Sequence, residues 1–513
     1  MKQANDTRQP DPLSRHQRYW RRRTTIEACQ ALGTIRAAID RRADENLDDL
    51  ERQTDAALEQ ADIECPTDAA PEQAPLKSLD ERLAESCVKR LQQLSACLPR
   101  TGVEAQPGYL VVNPLSFVRR VAVEVPDLKS LPAVRRPIYA SAQTGHTKYA
   151  VVDVPAMGYV WVTAGDGPTR SRRSAVPLAE RSGDRERLFL LRNEFLEAAI
   201  HPVTGALQSV KDYTSRGNRL SQQLAFRLGG PKRHNDASQA YSVMAADSVE
   251  IAQSNSAVGE IVARGRLLDR DGKRLAGFRQ TFRVWRGSRV LHLEIELTPE
   301  IEPQSDPWKS FYACRFAWAD EIADLYRGVH QTRQTAKPAR LEAPHYIEVK
   351  SGDTRTAILT GGLPYHRRVG SRNLDSLLVV HGESERTFHL GIGIDLVHPI
   401  QEAMGLLAPA TVFHEVAPPP APSGWFFHLD SRSVLSTHWS TVVEEGRVVG
   451  FRTRLLETAG RTVRTKLTTF RDIQSARQVN FVGDTLADCR VDQGCVQIEL
   501  AAHEWTEIEA RWE

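Results

Sequence analysis

The chain has 513 residues, of which 41% are hydrophobic and 26% charged, and its 67 Lys and Arg against 65 Asp and Glu leave a net charge of +2. This balance excludes a global positive field that would select nucleic acid. No apolar run reaches the ~18 residues that a membrane span needs. The N-terminus also lacks the apolar core of a signal peptide, so we expect a cytoplasmic protein with reduced cysteines.

The N-terminal fifth of the sequence is predicted to be helical. Residues 1–23 are polar and are expected to form a disordered tail, followed by a helical segment over 24–100. Apolar residues recur at helical spacing over 24–40, 46–63 and 78–98. Ser78 and Glu81 have the spacing of a capping box, which predicts that the third helix begins there. We interpret these helices as a short bundle.

Beyond residue 106 the sequence changes to short β runs. In RVAVEV (120–125) and RVLHLEIEL (289–297), apolar and polar residues alternate, which indicates strands with one buried face. No motif repeats at a fixed period, so propellers and solenoids are excluded. About 400 residues of antiparallel strands require several packed sheets. We therefore predict a mainly β fold, in which sandwiches follow the helical bundle.

Four motifs occur in an order that resembles glycoside hydrolase family 38, the α-mannosidases. They are YLVVNPLSFVRRVAVEVP (109–126), HPVTGALQSVKD (201–212) preceded by an Asn-Glu pair, RTAILTGGLPYHRRVGSRNLDSLLV (355–379) and LLETAGR (455–461). The resemblance implies a small β-sandwich over 107–165, a galactose-mutarotase-like supersandwich over 183–410 and a C-terminal β-sandwich over 420–513. The HPVTG segment is then the first hairpin of the supersandwich.

The resemblance also implies that the catalytic part of the family is missing from this sequence. In that family a β/α barrel holds zinc through His and Asp, together with an Asp nucleophile and an Asp acid/base. Roughly 106 residues precede the first predicted strand, whereas a β/α barrel needs about 250. We therefore expect no catalytic residue, no metal ligand and no cofactor in this chain, and zinc only in the missing barrel.

The loop YHRRVGSR (365–372) offers candidate sugar-binding residues. Guanidinium and phenol groups suit contacts to sugar hydroxyls, which favours Tyr365, Arg368 and Arg372. The resemblance implies that an Arg of this loop points toward the sugar site, with Arg372 as the best match and Arg368 second. The alternative is a solvated basic loop.

The stretch DPWKSFYACRFAW (306–318) is rich in aromatic residues. It could stack against a saccharide, with Asp306 and Arg315 as polar contacts. Its alternation favours a core strand that pairs its aromatic side chains.

Two other sets of residues have weaker patterns. His428 and Asp430 form an H-x-D pair, but an alternating strand explains them better than a metal site. An aldose epimerase-like enzyme would need a His acid and a Glu base, and the candidates are His201, His292, His330, His345 and His389 with Glu294 or Glu348. Each of these histidines is more simply a structural one.

These observations predict a carbohydrate-binding C-terminal portion of an α-mannosidase-like glycoside hydrolase, not catalytic alone. Its expected partners are carbohydrate and either a separate catalytic barrel chain or further copies of itself, without nucleic acid or membrane. The alternatives are a stand-alone lectin-like or scaffolding module and an aldose epimerase-like enzyme.

Overall fold

The computed structural model describes residues 11–59, 78–99, 107–165, 177–183, 187–229, 241–415 and 417–512. Within these ranges the chain is mainly β, as predicted, and the strand pairings are antiparallel. The described helices are α1 Ser14–Asp40, α2 Asp48–Glu59, α3 Leu79–Cys97 and α4 Pro399–Leu407. None of the described helices combines the length and the apolar character needed to cross a membrane.

Helix α1 begins earlier than the sequence predicts. Its first residue, Ser14, falls inside the predicted tail 1–23, of which residues 1–10 lie outside the described ranges. The carboxylate of Glu383 accepts hydrogen bonds from the backbone N–H groups of Leu13 and Ser14, at 2.9 and 3.2 Å. A residue about 370 positions away thus satisfies donors at the start of the helix, which local sequence does not reveal.

Helices α1 and α3 are held together by a disulfide between Cys29 and Cys87. The expectation that the cysteines are reduced is therefore wrong for this pair, whereas Cys489 and Cys495 are free. Helix α3 starts with the predicted capping box, in which Ser78 and Glu81 cap one another. The predicted helix 46–63 is described as far as residue 59.

The strands run in three groups along the chain. The first group is β1 Gly108–Asn113, β2 Arg119–Glu124, β3 Ile138–Thr144, β4 Thr147–Val154 and β5 Gly158–Thr163. The second is β6 Ala179–Arg181, β7 Phe189–Arg192, β8 Leu196–Ile200, β9 Leu207–Asp212, β10 Leu220–Arg227, β11 Val243–Ser254, β12 Val258–Leu268, β13 Arg274–Trp285, β14 Val290–Pro299, β15 Phe311–Ala317, β16 Asp324–Val329, β17 Thr332–Thr335, β18 Arg340–Glu342, β19 Tyr346–Ser351, β20 Thr354–Leu359, β21 Tyr365–Val369, β22 Asn373–Val379 and β23 Thr387–Ile394. The third is β24 Thr411–Glu415, β25 Ser423–Trp425, β26 Phe427–Leu429, β27 Val434–Glu444, β28 Arg447–Glu457, β29 Val463–Thr469, β30 Ser475–Val479, β31 Thr485–Asp488, β32 Arg490–Asp492, β33 Cys495–Leu500 and β34 Trp505–Arg511.

The small sandwich draws on two distant parts of the sequence. Its sheets have the orders β24-β1-β5-β25 and β2-β4-β3, with valine-rich side chains between them. Strands β24 and β25, which come after the second group, flank β1 and β5. The sandwich therefore extends beyond the predicted segment 107–165.

The second group forms the largest unit, two nine-stranded sheets packed face to face. The front sheet has the order β18-β21-β22-β15-β10-β9-β8-β7-β6, and the back sheet has the order β11-β12-β13-β14-β23-β20-β19-β16-β17. Their inner faces share one apolar core, to which β15 contributes Tyr312, Cys314, Phe316 and the following Trp318. The interpretation of DPWKSFYACRFAW as a core strand is thus confirmed.

The remaining strands of the third group, β26 to β34, form the C-terminal sandwich. Its sheets have the orders β26-β29-β33-β32 and β27-β28-β34-β30-β31. Its apolar core is continuous with side chains of α1, α3 and the small sandwich. Helix α1 of this segment packs against β27 and β28 of the C-terminal sandwich.

Candidate functional site

A row of polar side chains crosses the outer face of the front sheet. In the strand register Arg340 lies opposite Arg367, Arg367 opposite Asp375, Asp375 opposite Arg315, and Arg315 opposite Gln223. Residues that lie opposite each other point to the same face of a sheet. The row therefore places three arginines and one carboxylate side by side across five strands.

A cavity of about 440 Å³ lies beside Arg315 on this face. Its polar lining residues are His201, Thr204, Gln208, Ser221, Gln222, Gln223, Arg315 and Asn373. This volume is within the range of ~300–1,000 Å³ that is usual for small-molecule sites. No Asp or Glu contributes to its described lining, so its walls are neutral apart from one cation.

The turn HPVTG forms one wall of the cavity through its own hydrogen bonds. Nδ1 of His201 accepts from the backbone N–H groups of Val203 and Thr204, both at 3.3 Å. The neutral tautomer that fits these contacts carries its proton on Nε2. Gly205 has φ +72°, and a side chain there would come within 2.9 Å of Ala263, so the turn needs glycine.

Arg315 brings unused hydrogen-bond donors to the cavity. Its side chain is 15% exposed, and its Nε lies 3.4 Å from Oδ1 of Asp375. The guanidinium lies 3.9 Å from the centre of the Tyr241 ring, which is a cation–π contact. Among the described residues it makes no hydrogen bond, although a guanidinium has five N–H donors.

Asp375 lies behind Arg315 and is fully buried. Its Oδ2 accepts a hydrogen bond from the hydroxyl of Tyr241 at 2.6 Å, while Oδ1 has no hydrogen-bond partner in the described part of the chain. Burial raises the pKa of this carboxyl and outweighs the opposing effects of Arg315 and Tyr241. The carboxylate is therefore incompletely compensated.

Of the five residues that the sequence predicts for sugar binding, Arg315 lines the cavity. Arg372 is exposed in the β21–β22 hairpin, with its Nε 3.6 Å from Glu321. Arg368 donates to the backbone carbonyl of Ser371 at 3.4 Å. Neither of these two contributes to the cavity lining.

Tyr365 and Asp306 lie on the same face but in contacts of their own. The Tyr365 ring packs edge-on against Trp308 and His16, with centroid distances of 6.0 and 5.6 Å. Asp306 accepts from the backbone N–H of Trp308 and pairs with Lys309, both at 3.0 Å. Both residues therefore hold the segment that leads into β15.

Asp375 and Tyr241 are the residues that sequence reasoning missed. Asp375 is the one charged residue in the run NLDSLLV, and a charge within a buried strand is a signal of a polar network or site. Tyr241 has no such signal, because its role depends on a contact across 134 positions.

The H-x-D pair of the C-terminal sandwich serves its local structure. Oδ1 of Asp430 accepts from the Thr465 hydroxyl and from the Lys466 backbone N–H, both at 2.8 Å. The His428 ring lies 5.7 Å from that of Trp425. In the described ranges no three His, Cys, Asp or Glu residues are grouped so as to hold a metal ion.

The histidines considered for epimerase chemistry do not meet Glu294 or Glu348 in a cavity of suitable size, since the described linings of the front-sheet cavity with His201 and of a cavity of about 360 Å³ with His292 contain neither glutamate. His292, Glu294 and His389 line one cavity on the back sheet, but its volume is about 140 Å³. This is well below the usual ~300 Å³ for a ligand site. Burial lowers the pKa of His292 to about 3, so this ring is a poor general acid at neutral pH.

Comparisons with known proteins show the fold. No protein family model and no curated protein matches this chain. An α-mannosidase from Enterococcus faecalis V583 matches with a TM-score of 0.66 and 10% identity, covering 99% of this chain and 69% of that one. A glycosyl hydrolase family 38 protein from Enterococcus faecalis matches with a TM-score of 0.67 and 12% identity, covering 100% and 71%. At this identity, the likeness shows that this chain shares the fold of these two structures along nearly its whole length.

Proposed function

We propose that this chain binds carbohydrate through the cavity on the front sheet, as a region of an α-mannosidase-like glycoside hydrolase that is not catalytic alone. The observation that carries the proposal is the cavity wall, where Arg315 offers unused donors beside the Asn373 and Gln223 amides and the His201 ring. Convergent donors and acceptors around a small cavity are what sugar hydroxyls require. The fold shared with an α-mannosidase supports this class of ligand.

The composition of the cavity favours binding over hydrolysis. A retaining glycosidase needs two carboxylates about 5 Å apart on either side of the scissile bond. The described lining has none, and Asp375 is buried behind Arg315. The described residues also do not fit the zinc site of the family, since no three potential ligands are grouped. We therefore assign no bond-breaking step to this chain.

A separate barrel chain is the partner that this proposal implies. It would supply the carboxylates and the zinc, while the front sheet would hold part of the sugar. A stand-alone lectin-like or scaffolding module is the second candidate. It is favoured if the full chain binds sugar in isolation as tightly as in any complex.

The test combines binding and turnover on the full chain. Calorimetric titration with mannose and α-linked mannobiose is expected to show binding that Arg315→Gln weakens and that Arg372→Gln, an exposed arginine outside the cavity, leaves unchanged. An aryl α-mannoside is expected to remain intact, with or without added zinc. The proposal fails if no sugar binds, or if the chain releases aglycone and loses that activity on substitution of an Asp or His.

A further inference from the structure

The charges around the candidate site are unbalanced in one direction. The cross-strand row contains Arg315, Arg340 and Arg367 but only one carboxylate, that of Asp375. In the described ranges, the ion pair of Arg315 with Asp375 is the only salt bridge that these three arginines make. The row therefore has a net charge of +2 when Asp375 is ionised and +3 when it is protonated.

The hydrogen-bond and ring contacts of the other two arginines are with neutral groups, and the Asp306 carboxylate, with which Arg340 also interacts, is already paired with Lys309. Arg367 donates to the backbone carbonyl of Trp308 at 3.1 Å, and the guanidinium of Arg340 lies 5.0 Å from the centre of the Trp308 ring. Burial and the nearby Arg227 lower the pKa of Arg367, as expected where cations outnumber anions. None of these contacts neutralises the positive charge.

The cavity itself adds no negative charge. Its polar lining consists of amide, hydroxyl and imidazole groups together with the Arg315 guanidinium. A guanidinium binds a carboxylate or a phosphate through two parallel hydrogen bonds, which are roughly twice as strong as bonds to neutral groups. A neutral sugar would not form these stronger, charge-assisted hydrogen bonds with Arg315.

We infer that the ligand of this site is an anionic saccharide, whose carboxylate or phosphate group is bound by Arg315 while its hydroxyls contact the amide groups of the cavity. This inference rests on the proposed carbohydrate-binding function and narrows its substrate class. An anion at Arg315 supplies the acceptors that the described residues lack. The remaining arginines of the row extend the favourable potential along the sheet.

The test compares three ligands of similar shape on the full chain: mannose, mannuronate and mannose 6-phosphate. Calorimetric titrations at low salt are expected to show at least about tenfold tighter binding of an anionic sugar than of mannose, since charge-assisted hydrogen bonds are the stronger ones. This preference is expected to shrink with added salt. Preference for mannuronate over mannose 6-phosphate, or the reverse, identifies the anionic group.

Variants separate the charge of Arg315 from its shape. In Arg315→Gln the preference for the anionic sugar is expected to disappear, and in Arg315→Lys to be partly retained. Arg372→Gln, which removes a similar charge outside the cavity, is expected to retain the full preference for the anionic sugar. Inorganic phosphate is the control for binding without a sugar, and is expected to bind more weakly than either anionic sugar.

The outcomes distinguish this inference from the function on which it rests. If mannose binds as tightly as both anionic sugars, and Arg315→Gln weakens it, the carbohydrate site stands and the inference is wrong. If no sugar binds at all, the proposed function itself is wrong. The comparison among ligands needs only the wild-type chain, so it remains decisive if a variant fails to fold.

Discussion

Two buried carboxylates, Glu509 in the C-terminal sandwich and Asp375 in the front sheet, have arginines around them but opposite electrostatic outcomes. The Glu509 carboxylate binds Arg452 and Arg477, each with a shortest distance of 2.7 Å, and Arg511 at 3.1 Å. Although burial raises its pKa, the hydrogen bonds from these arginines lower it below the usual value overall. This carboxylate is fully compensated.

Asp375 shows the opposite balance. Its one ion pair, with Arg315, has a distance of 3.4 Å, and its Oδ1 lacks a hydrogen bond from the described residues. Burial dominates and its pKa is raised. The comparison shows that arginine–carboxylate clusters of similar composition can be complete structural networks or sites with unused donors, and that the geometry decides which.

The largest expected effect follows from breaking the complete network. Glu509→Gln is expected to lower the free energy of unfolding by roughly 3 kcal/mol, because it leaves three arginines around a neutral group. Scanning calorimetry of the full chain measures this change. Glu499→Gln, which breaks an exposed pair with Arg464, is the matched control and is expected to change stability by less than about 1 kcal/mol. Equal effects of the two substitutions would contradict the structural role of Glu509.

The next largest effects are expected from substituting one arginine in each of the two clusters. Arg315→Gln is expected to weaken ligand binding about tenfold, equivalent to about 1.4 kcal/mol. Its free energy of unfolding is expected to fall less than that of Arg452→Gln, because the ion pair with Asp375 is longer and lacks a hydrogen bond. Arg452→Gln is expected to lower the free energy of unfolding by about 1.5–3 kcal/mol, with unchanged binding. Titration and calorimetry on both variants measure the two quantities. Loss of stability without loss of binding in Arg315→Gln would show that the front-sheet cluster is structural as well.

The smallest effect concerns the charge of Asp375. Because its pKa in the folded state is raised above the usual 3.8, its contribution to stability is present below pH 3.8 and lost as the pH rises through the raised value. Asp375→Asn, which keeps an acceptor for the Tyr241 hydroxyl, is expected to leave stability at pH 7 unchanged or slightly higher. It should also strengthen binding of an anionic sugar.

Calorimetry over pH 3 to 8 checks the sign of this effect. The free energy of unfolding of Asp375→Asn is expected to differ least from that of the wild type at low pH and to rise relative to it as the pH increases. For Glu509, whose pKa is lowered, the stabilisation is instead present above pH 4.5 and lost as the pH falls through the lowered value. If Asp375→Asn destabilises the chain at pH 7 as strongly as Glu509→Gln does, the two carboxylates are equivalent and the comparison is wrong.

Local patterns were sufficient for most of the fold. Alternation in RVLHLEIEL predicted β14, whose apolar side chains Leu291, Leu293 and Ile295 lie in the core, and the capping box placed the start of α3. The early start of α1 could not be predicted, because its capping carboxylate comes from Glu383. Strands β24 and β25 were not assigned to the small sandwich because they pair with β1 and β5, which are distant in the sequence.

The candidate site was only partly accessible from the sequence. Arg315 stood out because it is a charge in an aromatic strand. Its neighbours Asp375 and Arg367 come beside it only through the register of three strands, which no local pattern encodes. Because successive side chains of a strand point to opposite faces, Arg368 of β21 lies on the same side as the buried His366, away from the row.

The central claim is that the outer face of the front sheet around Arg315 holds the ligand, and blocking the cavity tests it most directly. Ala317 lines the cavity, so Ala317→Trp should fill it without changing any charge. Thr387→Trp places the same side chain on an exposed strand position of the back sheet and is the matched control. Titration with mannuronate is expected to show at least about tenfold weaker binding for Ala317→Trp and wild-type binding for Thr387→Trp, a difference of about 1.4 kcal/mol or more. Wild-type affinity in a folded Ala317→Trp variant would contradict the claim.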